Sequence, residues 1–225
     1  MAARLPKRLG PVLALIPARG GSKRIRRKAL RKLGRYGSLL AIAVRQARRL
    51  KRAGWIDRIL VSTEDPGIRA EALRAGAEVL ARPRRLATDS ASTLAVARHA
   101  LAAVPARTLV LLQVTSPLRQ DADVAACLRR YARGGASSVV TVAAARPLPE
   151  WMFRLKGDRL GAPASRGRGP AVALNGAVYV CDAKRLVKSG FVGRGTAFVR
   201  MPRLRSVDVD EPEDLELARR LWKTR

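Results

Sequence analysis

Near the N-terminus, Leu15-Ile16-Pro17-Ala18-Arg19-Gly20-Gly21-Ser22-Lys23 carries an apolar run into a glycine turn flanked by two cations. A turn of this kind can hold a polyphosphate. Gly20 and Gly21 let consecutive backbone N–H groups converge on an anion, while Arg19, Lys23 and, further on, Lys28 offset a charge too large for dipoles alone. The order Gly21-Ser22-Lys23 is not the ending of a Walker loop, and Arg24 stands where a dinucleotide fingerprint needs its third glycine. Taken alone, the segment also fits an ordinary strand-to-loop turn in an arginine-rich chain.

A second constellation lies near the other end. Asp208 and Asp210 are two apart in a β-like segment, which points both carboxylates to one face and suits a hard divalent cation, magnesium above all. Asp210 alone could equally be a helix N-cap, with Glu213 completing a capping box and Asp214 favouring the dipole. That alternative leaves Asp208 unexplained. Between the two constellations, Gln113-Val114-Thr115-Ser116-Pro117-Leu118-Arg119 ends an apolar strand with polar groups that packing does not need, although a turn into the next helix would also account for them. In Asn175-Gly176-Ala177-Val178-Tyr179, a glycine entering a strand marks a bulge or a close backbone approach.

The elements that must position these residues alternate. Apolar, Val/Leu/Ile-rich runs at 12–18, 58–63, 78–81, 108–114 and 137–143 read as strands. Helical patterns cover 38–53, 67–75, 91–103 and 121–133. This is the arithmetic of βαβ units, with helices on both faces of a Rossmann-like, mostly parallel sheet and ligands at the carboxyl ends of the strands. Arg19, Thr63 and Gln113 fall at such ends. From 147 to 174 the pattern loosens into a Pro-, Gly- and Arg-rich stretch, read as a mobile excursion and not a core element. A second β region at 177–181 and 197–200 precedes a last helix beginning near Pro212.

Composition bounds the rest. With 225 residues, 48% of them hydrophobic, the chain is expected to form one α/β domain over 1–225. The first apolar stretch ends at Pro17-Ala18-Arg19, too short for a bilayer, so no membrane span is expected and the protein is placed in the cytoplasm. Cys127 and Cys181 lack metal-ligand spacing and read as reduced core thiols, and His99 as a helix residue without catalytic duty. The net charge of +29 invites a nucleic-acid reading. Its arginines, however, are spread along nearly every helix, aromatic residues are only 4%, and no nucleic-acid-binding motif is visible, so only non-specific binding is expected. Six of the 17 acidic residues, Asp208, Asp210, Glu211, Glu213, Asp214 and Glu216, gather near the C-terminal end.

In order along the chain, ALIPARGGSKR, ILVSTED, RPRRLATDSAST, LLQVTSPLR, SSVVTV, LNGAVYV and SVDVDEPEDLELA resemble the acylneuraminate cytidylyltransferase family. Lys23-Arg24-Ile25 is slightly closer to its pseudaminic acid branch, and Trp151-Met152-Phe153 to its acylneuraminate branch. The resemblance implies the nucleotide-diphosphosugar transferase three-layer α/β/α sandwich with a small β excursion. It also implies transfer of CMP from CTP to the anomeric hydroxyl of a nonulosonic acid, with Mg2+ and release of pyrophosphate. On matching motifs, Arg19, Gly20, Gly21, Ser22, Lys23, Lys28, Arg82 and Ser90 are implied for the nucleotide, and Gln113, Asn175, Tyr179 and Phe191 for the sugar acid. Asp208 and Asp210 match the metal carboxylates and, with Arg19 and Lys28, the catalytic set.

The chain also departs from that pattern. Arg26 replaces the family's proline, and Ala29 the asparagine that helps hold the nucleotide. The resemblance implies a homodimer whose arm serves dimerisation and completes the active site, but here the arm, 147–174, is shortened to an arginine-glycine tract in which Arg166 or Arg168 could meet the sugar carboxylate. Two other readings compete. One is a nucleotidyltransferase for the eight-carbon acid of lipopolysaccharide, a branch that lacks the Gly-Gly-Ser-Lys form of the loop; the other is a catalytically weakened homologue with a basic, nucleic-acid-binding surface.

Overall fold

The computed structural model describes residues 9–145, 153–156, 159–163 and 171–223. Seven strands form one sheet in the order β3-β2-β1-β4-β8-β5-β9. β1 (Val12–Pro17), β2 (Arg58–Thr63), β3 (Glu78–Ala81) and β4 (Thr108–Leu112) run parallel. β8 (Val172–Asp182) inserts antiparallel between β4 and β5 (Ser138–Ala144), and β9 (Thr196–Arg200) lies parallel to β5 at the edge. β1 and β4 are apolar along their length because helices cover both of their faces.

Alternate residues of each strand feed two cores. On one face Ala14, Ile16, Val61, Val110 and Leu112 meet α1 (Leu39–Arg52), α2 (Pro66–Ala75) and α4 (Asp121–Ala132) through Val44, Ala47, Ile68, Val124 and Leu128. On the other, Leu13, Leu15, Leu109 and Leu111 meet α3 (Thr93–Ala103) and α5 (Ala183–Ser189) through Ala97, Ala100 and Leu186. Each of the buried leucines contributes about 1.5–3 kcal/mol by leaving water. The result is a three-layer α/β/α sandwich with a mostly parallel sheet, as expected.

Caps set where helices start. Ser38, Asp65, Ser92 and Asp182 each accept a hydrogen bond from a backbone N–H three residues on, and Gly76, at φ 87°, ends α2. A third apolar cluster matters for the site. Ile25, Leu33, Leu39 and Ile42 pack with Val209, Leu215 and Ala218, so α6 (Pro212–Lys223) is clamped onto the loop that follows β1.

Two expectations need correction, and one helix is new. The stretch 147–174 is not without structure: β6 (Phe153–Lys156) and β7 (Arg159–Pro163) pair as an antiparallel hairpin, and β8 already begins at Val172, pairing with Ala144. Composition points to a loop there, but pairing with a distant strand overrides it. The seven-residue helix α5 had no sequence signal long enough to register as a period. Finally, 206–210 is not a strand, and Asp210 does not cap α6. α6 starts only at Pro212, and Asp214 in its first turn reaches back: its Oδ2 accepts from the N–H groups of Asp210 and Glu211 at 3.0 and 2.8 Å. Arg166 and Arg168 lie outside the described residues.

Candidate active site

The strands that face carboxyl end forward and the start of antiparallel β8 meet at one edge of the sheet, around a cleft of about 970 Å³. Arg19, Ser22, Lys23, Lys28, Arg82, Gln113, Asn175, Tyr179, Asp208 and Asp210, drawn from every part of the chain, line it. Gly20, Gly21, Ser90 and Phe191 do not.

At one end stands the loop after β1. A Cβ on Gly20 would lie 2.6 Å from Asp65 Oδ2, so the start of α2 leaves room only for glycine; nothing approaches Gly21 within 4 Å. The Gly20 N–H does not open onto the cleft but donates to Glu64 Oε1 at 2.7 Å. Arg19 and Lys23 both reach Asp89, at 2.6 Å each, and their hydrogen bonds, Lys23 first, hold that carboxyl below its usual range. Beneath them Arg82 is 7% exposed and hydrogen-bonded to the hydroxyl and carbonyl of Ser62. Burial lowers its pKa, against the raising influence of Glu64. Ser90 sits on the rim, its hydroxyl 3.2 Å from that of Thr88, which does line the cleft.

Lys28 belongs to the other end. Arg27 takes the left-handed conformation, φ 52°, uncommon for a residue with a Cβ. It leads into a 3-10 turn at Lys28–Leu30. Lys28 Nζ then donates to Val209 O and Asp210 Oδ1, both at 2.7 Å. Lys28 therefore holds the acidic segment; it does not stand ready for a phosphate. Ala29, 2% exposed, belongs to the core and also lines the cleft.

The segment carrying Asp208 is fixed at several further points. Val209 N–H donates to Thr115 O at 2.7 Å. Asn175 Nδ2 donates to Ser206 Oγ at 2.9 Å, and Arg205 makes a two-pronged contact with Asp123, 2.8 and 3.1 Å. Asp208 opens onto the cleft beside Gly176, whose φ of 71° marks the irregularity in β8 that the sequence suggested. Its carboxyl is pushed up, first by the protein crowding its hydration and then by Asp210, while a hydrogen bond from Thr115 pulls it down. Among the described residues no cation forms an ion pair with Asp208, and no third metal-ligating side chain joins the two aspartates. Asp208, without an ion-pair partner among the described residues and beside a second carboxylate already paired with Lys28, fits magnesium, which takes one or two carboxylates and completes its shell with water and phosphate oxygens.

The wall between the two ends hangs on Arg119. This guanidinium is 4% exposed and donates to the carbonyls of Gln113 at 3.1 Å and Ala177 at 2.7 Å and to Gln46 Oε1 at 2.7 Å. Burial lowers its pKa to about 10. It touches nothing in the cleft, yet it ties the end of β4 to the start of β8. Tyr179 lines the cleft with Phe191 packed behind it, ring centroids 5.2 Å apart, so Phe191 acts through Tyr179. Asn175 spends its amide on Ser206 and its carbonyl on Ala177 N–H, which makes it a brace for the wall.

The model of the cytidylyltransferase family matches residues 13–155. The chain belongs to that family. It is 29% identical over 218 residues to an N-acylneuraminate cytidylyltransferase of Escherichia coli O18:K1:H7, covering 92% of this chain but about half, 51%, of that longer relative. It is 28% identical over 233 residues to a pseudaminic acid cytidylyltransferase of Campylobacter jejuni, covering 94% of this chain and 96% of that one. The structure of a CMP:2-keto-3-deoxy-manno-octonic acid synthetase complexed with CTP superposes with a TM-score of 0.73 over 95% of this chain and 99% of that one; at 15% identity it supports the fold alone. No described helix is long and apolar enough to cross a membrane.

Residues that the sequence did not single out complete this cytidylyltransferase cleft: Asp89, Glu64, Thr115, Arg119, Asp123 and Arg205. All but Asp123 and Arg205 sat inside quoted motifs. Their roles depend on partners far away in the chain, which no local pattern announces.

Proposed function

We propose that this cytidylyltransferase transfers CMP from CTP to the anomeric hydroxyl of a nonulosonic, sialic-type acid, releasing pyrophosphate. The observation that carries the reading is a single cleft with cations at one end, two aspartates at the other and the polar wall of Gln113 and Tyr179 between them. Relatives named for N-acylneuraminate and for pseudaminic acid support the substrate class.

In this reading Arg19, Ser22 and Lys23 take the β- and γ-phosphates and Arg82 lies on the nucleotide side. The sugar acid rests against Gln113 and Tyr179. A sugar oxygen attacks the α-phosphorus in line, the new P–O bond forms as the bond to the β-phosphate oxygen breaks, and the hydroxyl proton passes to solvent water. The difficulty is charge: a nucleophilic oxygen must approach phosphorus ringed by anionic oxygens. Arg19 and Lys23 stabilise the charge that builds on the departing pyrophosphate. Asp208 and Asp210 would hold Mg2+, which neutralises triphosphate charge when bound. Lys28 keeps Asp210 and the Val209 carbonyl in place, and Arg119 sets the spacing of the sugar wall.

The enzyme in this reading works in the cytoplasm as a homodimer. Exposed Val172 and Leu174 beside the cleft, 38% and 50% exposed, and Phe198 on the edge strand, 53%, support a second copy there. Light-scattering mass of the purified protein tests it, a monomer counting against. The activity is tested by pyrophosphate release from CTP with N-acetylneuraminate and with pseudaminate. Release with one acid, absent in Asp208→Ala, supports the reading; silence with both from folded protein overturns it.

A further inference from the structure

The two cations assigned to the triphosphate are both ion-paired from within the protein, by one carboxylate that offsets half of their charge. Asp89 Oδ1 lies 2.6 Å from Arg19 Nη2, and Oδ2 of the same carboxylate 2.6 Å from Lys23 Nζ. One group with each oxygen on a different cation does what two phosphate oxygens would do. The backbone donor is taken in the same way, since Gly20 N–H meets Glu64.

The two carboxylates are not equivalent. Glu64 is partly buried, and its Oε2 atom is buried with no hydrogen-bond partner among the described residues. Asp89 lies between the 3-10 turn Arg84–Leu86 and α3, lines the cleft, and is 44% exposed. Among the described residues its only ion-pair partners are Arg19 and Lys23. Exposed pairs of this kind are weak and exchange readily with solvent and ions.

We propose that Asp89 is an internal counter-anion of the phosphate cradle, displaced when a polyphosphate takes Arg19 and Lys23 and returning as pyrophosphate leaves. The proposal rests on reading the cleft as the triphosphate site. Asp89 then sets affinity without contributing to it: every ligand that engages both cations must first break two ion pairs. A neutral side chain there tightens polyphosphate binding by about threefold to tenfold, the range expected for two exposed pairs. It also makes pyrophosphate a stronger product inhibitor by a similar factor.

The test is calorimetry with inorganic tripolyphosphate and with pyrophosphate on the wild-type chain, Asp89→Asn and Asp89→Glu. The proposal expects Asp89→Asn to bind both anions about threefold to tenfold more tightly and Asp89→Glu, which keeps a carboxylate in reach, to bind as wild type does. Unchanged or weaker binding by Asp89→Asn overturns it. If circular dichroism shows Asp89→Asn unfolded, Asp89→Ser is judged by the same criterion. CTP titrated into the wild-type chain tests the nucleotide reading separately, because tripolyphosphate probes the cradle without the base.

Discussion

At one end of the cleft Arg19 and Lys23 share a single half-exposed carboxylate, whereas at the other Asp208 rides on a segment fixed by Lys28, Thr115, Asn175 and the Arg205–Asp123 pair. The first end is made of long, solvated side chains whose contacts are weak singly and easily exchanged. The second is made of short, partly buried contacts that hold one geometry. The difference fits the two tasks. In the proposed reaction a polyphosphate is admitted and its product released, while carboxylates beside the reacting phosphorus would gain most by being preorganised.

The largest effect expected falls on the fixed end. Asp208→Ala should lower kcat/KM by at least about a hundredfold with the fold intact, measured by pyrophosphate release alongside circular dichroism. If Asp208→Ala keeps near-normal activity, the preorganised end is not the reactive one.

Next comes the brace behind it. Asp123 is 5% exposed and Arg205 only partly buried, so Asp123→Ala should cost about 2 kcal/mol, discounted from a fully buried pair, and lower Tm by about 4–8 °C. Thermal melts check the stability, and a matching fall in kcat would tie the brace to the position of Asp208. The same change with an unaltered Tm would show the segment to be held by its other contacts.

The two lysines separate the ends most directly. Lys23→Met should weaken CTP binding about threefold to tenfold with little change in kcat, because its ammonium is solvated and meets only a displaceable partner. Lys28→Met should leave CTP affinity nearly unchanged and lower kcat about tenfold by releasing Asp210 and the Val209 carbonyl. Measuring KM and kcat for both variants decides it, and identical signatures would erase the distinction between the ends.

The smallest effect concerns the thiols. Cys127 on α4 and Cys181 near the end of β8 lie in the cores on opposite faces of the sheet, and burial pushes both up to about 12. Neither should be alkylated by iodoacetamide at pH 8.5 until the chain unfolds. A folded-state value above the unfolded one means that the unfolded thiols ionise first, so their contribution to stability is present below about pH 9 and is lost as pH rises toward about 12. Rapid alkylation of either would show the core around that thiol opening locally.

Much of this architecture is legible residue by residue. The apolar run from Val12 into Arg19 and the alternation through Ala144 follow from periodicity and local chemistry, whereas glycine at position 20 is required by Asp65 and the acidic segment 206–210 is not the strand its spacing suggests. Where reading along the chain went astray, the cause was distance. Residues 172–174 pair with β5 despite their loop-like neighbourhood, and Asp210 does not cap α6, which starts only at Pro212, because its side chain is held by Lys28. The ion pair that does so spans 182 residues.

The sequence by itself determined the strands and helices through Ala144 and the last helix, because these depend on repeats of side-chain character over a few residues. Only the tertiary structure decided which charge meets which. Packing of Ile25, Leu33 and Leu39 against Val209 and Leu215 brings the acidic segment to Lys28, and the approach of the 84–92 stretch to the loop after β1 sets Asp89 between Arg19 and Lys23. In an arginine-rich chain any carboxylate has many possible partners. Burial and distance select one, and those are properties of the folded molecule alone.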